Sequence, residues 1–137
     1  MGELQKLERG MIISTVRIAV GVKKKDEILR ILFSIKGPTE SESHCVSCRI
    51  YTEPRNEKHI TYEEVWQNEE SLYQHLRSPQ YRNLLAAMDL SSEPPEVKFI
   101  TVLKTEGMEL VQRVLDYVDL KKMGRTREAA NRSAFKK

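Results

Sequence analysis

The chain reads as an α+β domain with the element order β-α-β-β-α-β and a trailing helix. Three observations carry that reading. Two β-branched, alternating stretches flank an amphipathic helical stretch. A hairpin follows the helix. The segment 64–84 then runs from the end of a strand through a short turn into two helical pieces split at Ser78-Pro79. This is the split β-α-β arrangement, a four-stranded antiparallel sheet with its helices on one face.

In order, residues 11–20 (MIISTVRIAV) alternate, with Ile12, Val16, Ile18 and Val20 on one face and Ile13, Thr15, Arg17 and Ala19 on the other. Residues 24–36 place Ile28, Ile31, Leu32 and Ile35 on one helical stripe, and Gly37-Pro38 is expected to stop that helix. Residues 39–43 are a polar loop. Residues 44–52 alternate again, with Val46, Cys48 and Ile50 opposite Cys45, Ser47, Arg49 and Tyr51. A turn over 54–57 leads to the partner strand 58–66, where Ile60, Tyr62, Glu64 and Trp66 share a face.

Asn68 is the expected N-cap of the next helix, with Glu69 and Glu70 suited to its first turn. Ser78 caps a further helix that opens on Pro79 and carries Tyr81, Leu84, Leu85 and Met88. Residues 96–105 form the fourth strand, and Leu110, Val111, Val114, Leu115 and Val118 mark a C-terminal amphipathic helix. The expected organisation is an extension over 1–10, a domain over 11–105, a helix over 106–120 and a basic tail over 121–137.

The 137 residues are 39% hydrophobic and 31% charged, enough for one modest core. No apolar run is long enough to span a bilayer and the first ten residues lack a signal-peptide core, so the expectation is a cytoplasmic protein without membrane contact. The net charge of +3 is uneven. Residues 121–137 hold seven Lys/Arg and one Glu, net +6, against 16 basic and 19 acidic residues in the other 120, net −3. Without interleaved aromatics the tail reads as a solvated terminus rather than a nucleic-acid contact.

Cys45 and Cys48 form a CxxC inside a strand. Strand alternation predicts opposite-facing side chains and two free thiols. No phosphate loop, dinucleotide fingerprint, nucleophile elbow or zinc-ligand cluster is present, and no metal site is expected.

One constellation carries chemistry. Glu64 and Trp66 point the same way from their strand, and the following helix brings back His75, with Ser78 and Tyr81 close behind. An unperturbed imidazole titrates near neutrality, so His75 suits acid/base work. A structural histidine at a helix–strand contact is the alternative. Trp66 suits either a pocket wall or a core anchor, and Glu64 suits either an orienting carboxylate or an ordinary ion pair.

With these pieces placed, residues 11–105 resemble the antibiotic biosynthesis monooxygenase-like domains, a group that includes small quinol monooxygenases and cofactor-free polyketide oxygenases. The matching segments are IISTVRIAV, CVSCRIYTEP, EEVW, HLRSPQYRNLL and PPEVKFITVLKT, with Trp66, His75, Leu76 and Ser78 the most distinctive. The resemblance implies a ferredoxin-like α+β fold that pairs into a dimeric barrel. It also implies a cofactor-independent oxidation of a quinol or polycyclic phenol by dioxygen. His75, Trp66 and Glu64 would be the catalytic group, and Tyr51, Tyr62, Asn68 and Tyr81 the substrate contacts. Pairing through the uncovered sheet face would bring Arg17, Arg49 and Glu63 into interface ion pairs. A non-catalytic, dimeric small-molecule-binding or regulatory module of the same fold is the alternative. Two positions depart from the family pattern: His44 stands where members commonly have glycine, and Gln80 where some carry a second histidine.

Overall fold

The computed structural model describes residues 10–116. The terminal extension before residue 10 and the basic tail lie outside them. The described chain divides into two units, one ending at Lys104 and the other beginning at Thr105.

The first unit contains β1 (Ile12–Ala19), α1 (Lys25–Glu40), β2 (Cys45–Glu53), β3 (Asn56–Trp66), α2 (Glu69–Leu76), α3 (Pro79–Asp89) and β4 (Glu96–Thr101). The four strands form one antiparallel sheet in the order β2-β3-β1-β4. This is the ferredoxin-like α+β arrangement that the element order predicts. Alternation sorts the faces as expected. Ile12, Ser14, Val16 and Ile18 of β1 and Ile60, Tyr62, Glu64 and Trp66 of β3 are buried on the helix side, and their in-between neighbours are half-buried on the open face. The main core joins Val16, Ile18, Ile28, Leu32, Ile60 and Leu84. A smaller cluster at the other end of the sheet joins Ile12, Trp66 and Leu72. Every residue of the edge strand β4 is exposed.

Besides β4, which ends at Thr101 rather than running on to residue 105, four local expectations need correction. Helix α1 does not stop at Gly37-Pro38 but runs on to Glu40. Proline costs a helix the bond its N–H would make and crowds the preceding turn. Here the last turn is held instead by Thr39, wholly buried, and by the Ser41 N–H and hydroxyl, both donating to the Gly37 carbonyl at 3.1 Å. The β2–β3 connection is tighter than a four-residue turn: only Pro54 and Arg55 separate the strands, with Arg55 at φ 67°.

The third correction concerns the cysteines. A register shift between Cys45 and Ser47 sets Cys45 opposite Trp66 and Cys48 opposite Glu64. Trp66 and Glu64 share the helix-side face, so the irregularity turns both thiols to that same face. Both cysteines are free, as expected. Fourth, in α3 the residues facing inward are Tyr81, Leu84 and Ala87, while Leu85 is exposed. Leu85 sits one step around the helix from the 81–84–87 stripe.

Arg17, expected to seek a partner across an interface, pairs within its own chain. It donates to Glu53 at 2.8 Å and lies 3.7 Å from Glu96.

In the second unit, α4 (Met108–Leu115) presents Met108, Leu110, Val111, Val114 and Leu115 exposed. Arg113 pairs with Glu106 at 3.0 Å. The remainder of the helix expected over 106–120 lies outside the described residues. No described helix is long and apolar enough to cross a membrane.

Candidate functional site

The period-2 geometry of β3 aims Glu64 and Trp66 together at the helix layer. Gln67 and Asn68 then turn the chain. Asn68 Oδ1 accepts from Ser71 N–H at 2.8 Å, which caps α2, and α2 carries His75 back over the end of β3. Ser78 closes α2 and opens α3. Its N–H donates to the His75 carbonyl at 2.9 Å, and its hydroxyl accepts from Tyr81 N–H at 3.3 Å. Two caps and a proline at the first helical position thus fix where His75 stands.

Glu64, Trp66 and His75 are each about 1% exposed. Glu64 uses both oxygens: Oε1 accepts from the Trp66 indole at 3.1 Å and Oε2 lies 2.8 Å from His75 Nε2. The Trp66 and His75 rings lie against each other with centroids 4.6 Å apart, and Tyr81 meets the imidazole edge-on at 5.7 Å. The sequence expectation that these residues converge holds. What the two rings enclose is different: they are in contact and do not wall a hollow. A groove of about 730 Å³ is lined by Val20, Gly21, Lys25, Arg55 and Lys58. It lies at the other end of β1, because Trp66 pairs with Ile12.

The residue that sequence reasoning missed is Glu42. Its Oε2 sits 2.7 Å from His75 Nδ1, so the imidazole is flanked by a carboxylate on each nitrogen. The Glu42 side chain is 28% exposed, which makes it the outer member of the group. It lies in the short link between α1 and β2, where His44 adopts φ 70°. The glycine that family members commonly place before this cysteine would take that backbone angle without strain. The left-handed geometry persists here with a histidine, and the Gln67 N–H bonds to the His44 carbonyl at 3.0 Å.

Burial alone pushes His75 toward the neutral form. The hydrogen bond and charge of Glu64, followed by those of Glu42, outweigh it, and the net shift is upward. Burial also raises Cys45 to about 11 and Cys48 to about 12, so neither thiol is an activated nucleophile. Tyr62 is buried on the same face, 3.0 Å from Cys48 Sγ, and burial together with that contact pushes its hydroxyl strongly upward. Tyr81 is pushed upward by burial and by Glu64.

Of the four residues expected to contact substrate, Tyr62 and Tyr81 therefore stand near the group. Asn68 is occupied as a cap. Tyr51 faces the opposite side of the sheet, where its hydroxyl lies 3.3 Å from Glu63. Among the described residues, no three metal-ligating side chains are gathered in a metal-binding arrangement.

Residues 11–87, more than half of the chain, match the family model for antibiotic biosynthesis monooxygenases. The chain belongs to this family. A curated relative, an uncharacterized protein of Synechocystis sp., is 26% identical over 98 residues, 71% of this chain and 67% of its own. Among solved structures, a conserved protein from Methanosarcina mazei aligns at 23% identity with a TM-score of 0.64, covering 72% of this chain and 96% of its own. A protein from Deinococcus radiodurans, provisionally named an antibiotic biosynthesis monooxygenase, aligns at 16% identity and 0.63, covering 70% and 96%. At those identities the two structures establish the shared fold alone.

Proposed function

We propose that the protein is a cofactor-independent monooxygenase acting on an electron-rich quinol or polycyclic phenol, with His75 and Glu64 handling the proton and with Trp66 and Tyr81, both buried as the group stands, lining the space that opens when substrate enters. The observation that supports this best is the buried imidazole of His75, 2.8 Å from Glu64 and stacked on Trp66. Placing three polar groups inside an apolar layer is costly unless each is paired, and here each is. In the proposed reaction the substrate loses a proton and its carbanion form bonds to dioxygen. The hydroperoxide so formed sheds water to leave a carbonyl. One oxygen atom ends in product and the other in water, and the substrate supplies all the electrons. The protein's part is to place the ring, remove the proton and exclude bulk water. A dimer would complete the enclosure, since the β4 edge is exposed on both faces.

Aerobic incubation with a menadiol-type quinol, following oxygen uptake, tests the reading. Uptake is expected to exceed the uncatalysed rate and to fall at least tenfold in His75→Ala. Equal uptake by the variant refutes the assigned base.

One observation favours a second reading, a small-molecule-binding module without turnover. Both nitrogens of His75 are already engaged, so the ring has no lone pair open to a ligand as it stands. Saturable binding of the quinol without oxygen consumption would select that reading.

A further inference from the structure

A neutral imidazole offers one donor and one acceptor. His75 faces a carboxylate oxygen on each side, at 2.7 Å from Nδ1 and 2.8 Å from Nε2, and carboxylates only accept. Both contacts are satisfied together only when both nitrogens carry hydrogen. The two carboxylates are not equivalent. Glu64 is about 1% exposed and tied to the Trp66 indole, whereas Glu42 is 28% exposed, anchored in a link rather than in the sheet. Ser78 Oγ, 3.5 Å from Nδ1, is at the limit of a bond and already serves α3 as its cap. Of the other titratable groups described, Tyr81 from α3 meets the ring edge-on and Cys45 from β2 packs beside Trp66. Burial keeps both neutral near neutrality.

We propose that Glu42 is the positioning residue of this site: it holds the His75 ring through Nδ1 and, with Glu64 on Nε2, keeps the ring cationic and oriented before any ligand arrives. When the ring gives up a proton, the bare nitrogen faces a carboxylate and the contact turns repulsive. Glu64 is locked by Trp66, so Glu42 is the partner that withdraws, and Nδ1 is the nitrogen it uncovers. Glu42 thereby sets both the acidity of the ring and which nitrogen becomes the base. This deepens the oxygenase reading and rests on it for the catalytic consequence only.

The test uses the full chain and its single tryptophan. A protonated imidazole quenches an indole stacked on it, so Trp66 fluorescence against pH reports the state of His75. The wild-type midpoint is expected above about 6.5, the ordinary histidine value. Glu42→Gln is expected to lower it by about one pH unit, with Glu42→Asp falling between. An unchanged midpoint in folded Glu42→Gln overturns the assignment. If that variant does not fold, nitrogen NMR of the wild type at pH 7 decides: protons on both nitrogens of His75 support the assignment and a bare Nδ1 overturns it. In oxygen-uptake assays the rise of kcat with pH should move down by the same unit in Glu42→Gln, with KM unchanged. A wild type that consumes no oxygen refutes the oxygenase reading, while the fluorescence midpoint still decides the role of Glu42.

Discussion

The two ends of the helix-covered layer are built on different principles. Around Val16, Ile18, Ile28, Leu32, Ile60 and Leu84, packing is apolar, and an apolar side chain of similar volume and shape supplies similar free energy. Around Trp66, Glu64, His75 and Glu42, stability depends on a chain of polar contacts in which each buried member needs its neighbour. Burial is equally complete at the centres of both, so exposure does not distinguish them. They differ in what a substitution leaves behind: a void at one end, an unpaired polar group at the other.

The largest expected effect is at the polar end. Glu64→Ala strips the acceptor from both the imidazole and the indole, and breaking a buried pair from one side costs about 3–5 kcal/mol. Urea unfolding measures it. A loss below about 1 kcal/mol would mean that the two ends do not differ in kind. At the apolar end, Leu32→Ala should cost about 2–5 kcal/mol, while Leu32→Met should cost less than about 1.5 kcal/mol. No comparable conservative replacement should exist for Glu64.

Dependence on pH sharpens the same contrast. The folded-state pKa of His75 is raised above its unfolded value. Its stabilising contribution is therefore complete below about pH 6.5 and is lost as pH climbs through the folded value. The gap in unfolding free energy between wild type and His75→Gln should narrow as pH rises across that window, whereas the gap for Leu32→Ala should stay constant. A His75→Gln gap that is flat with pH would remove the histidine from the ionic account.

The link that carries Glu42 is the next test. Replacing His44 by glycine at φ 70° should relieve backbone strain and stabilise the fold by about 0.5–1 kcal/mol in thermal melts, without moving the Trp66 fluorescence midpoint. The smallest effect belongs to the open face. Arg17→Ala removes a pair whose partners Glu53 and Glu96 are solvent-exposed, and its unfolding curve should overlay that of the wild type at high salt.

Much of this architecture was legible in local pattern. Alternation in β1 and β3 assigned their buried faces, and Asn68 and Ser78-Pro79 marked the starts of α2 and α3. The same short-range rules carried Glu64, Trp66 and His75 together, because a two-residue turn separates a strand end from a helix that must fold back over it. The sequence by itself also carried enough of the family pattern to indicate the fold. Tertiary structure alone decided the rest. The extra residue in β2 that brings Cys45 onto the Trp66 face is a register choice made between strands, invisible to a strict two-residue period. Helix α1 passes Gly37-Pro38 because burial of Thr39 holds the turn that local propensity would end. Glu42 reaches His75 across 33 residues of chain. Nothing periodic distinguishes it within a polar loop, since a charge pair between distant segments acquires its energy only when folding removes water from both partners.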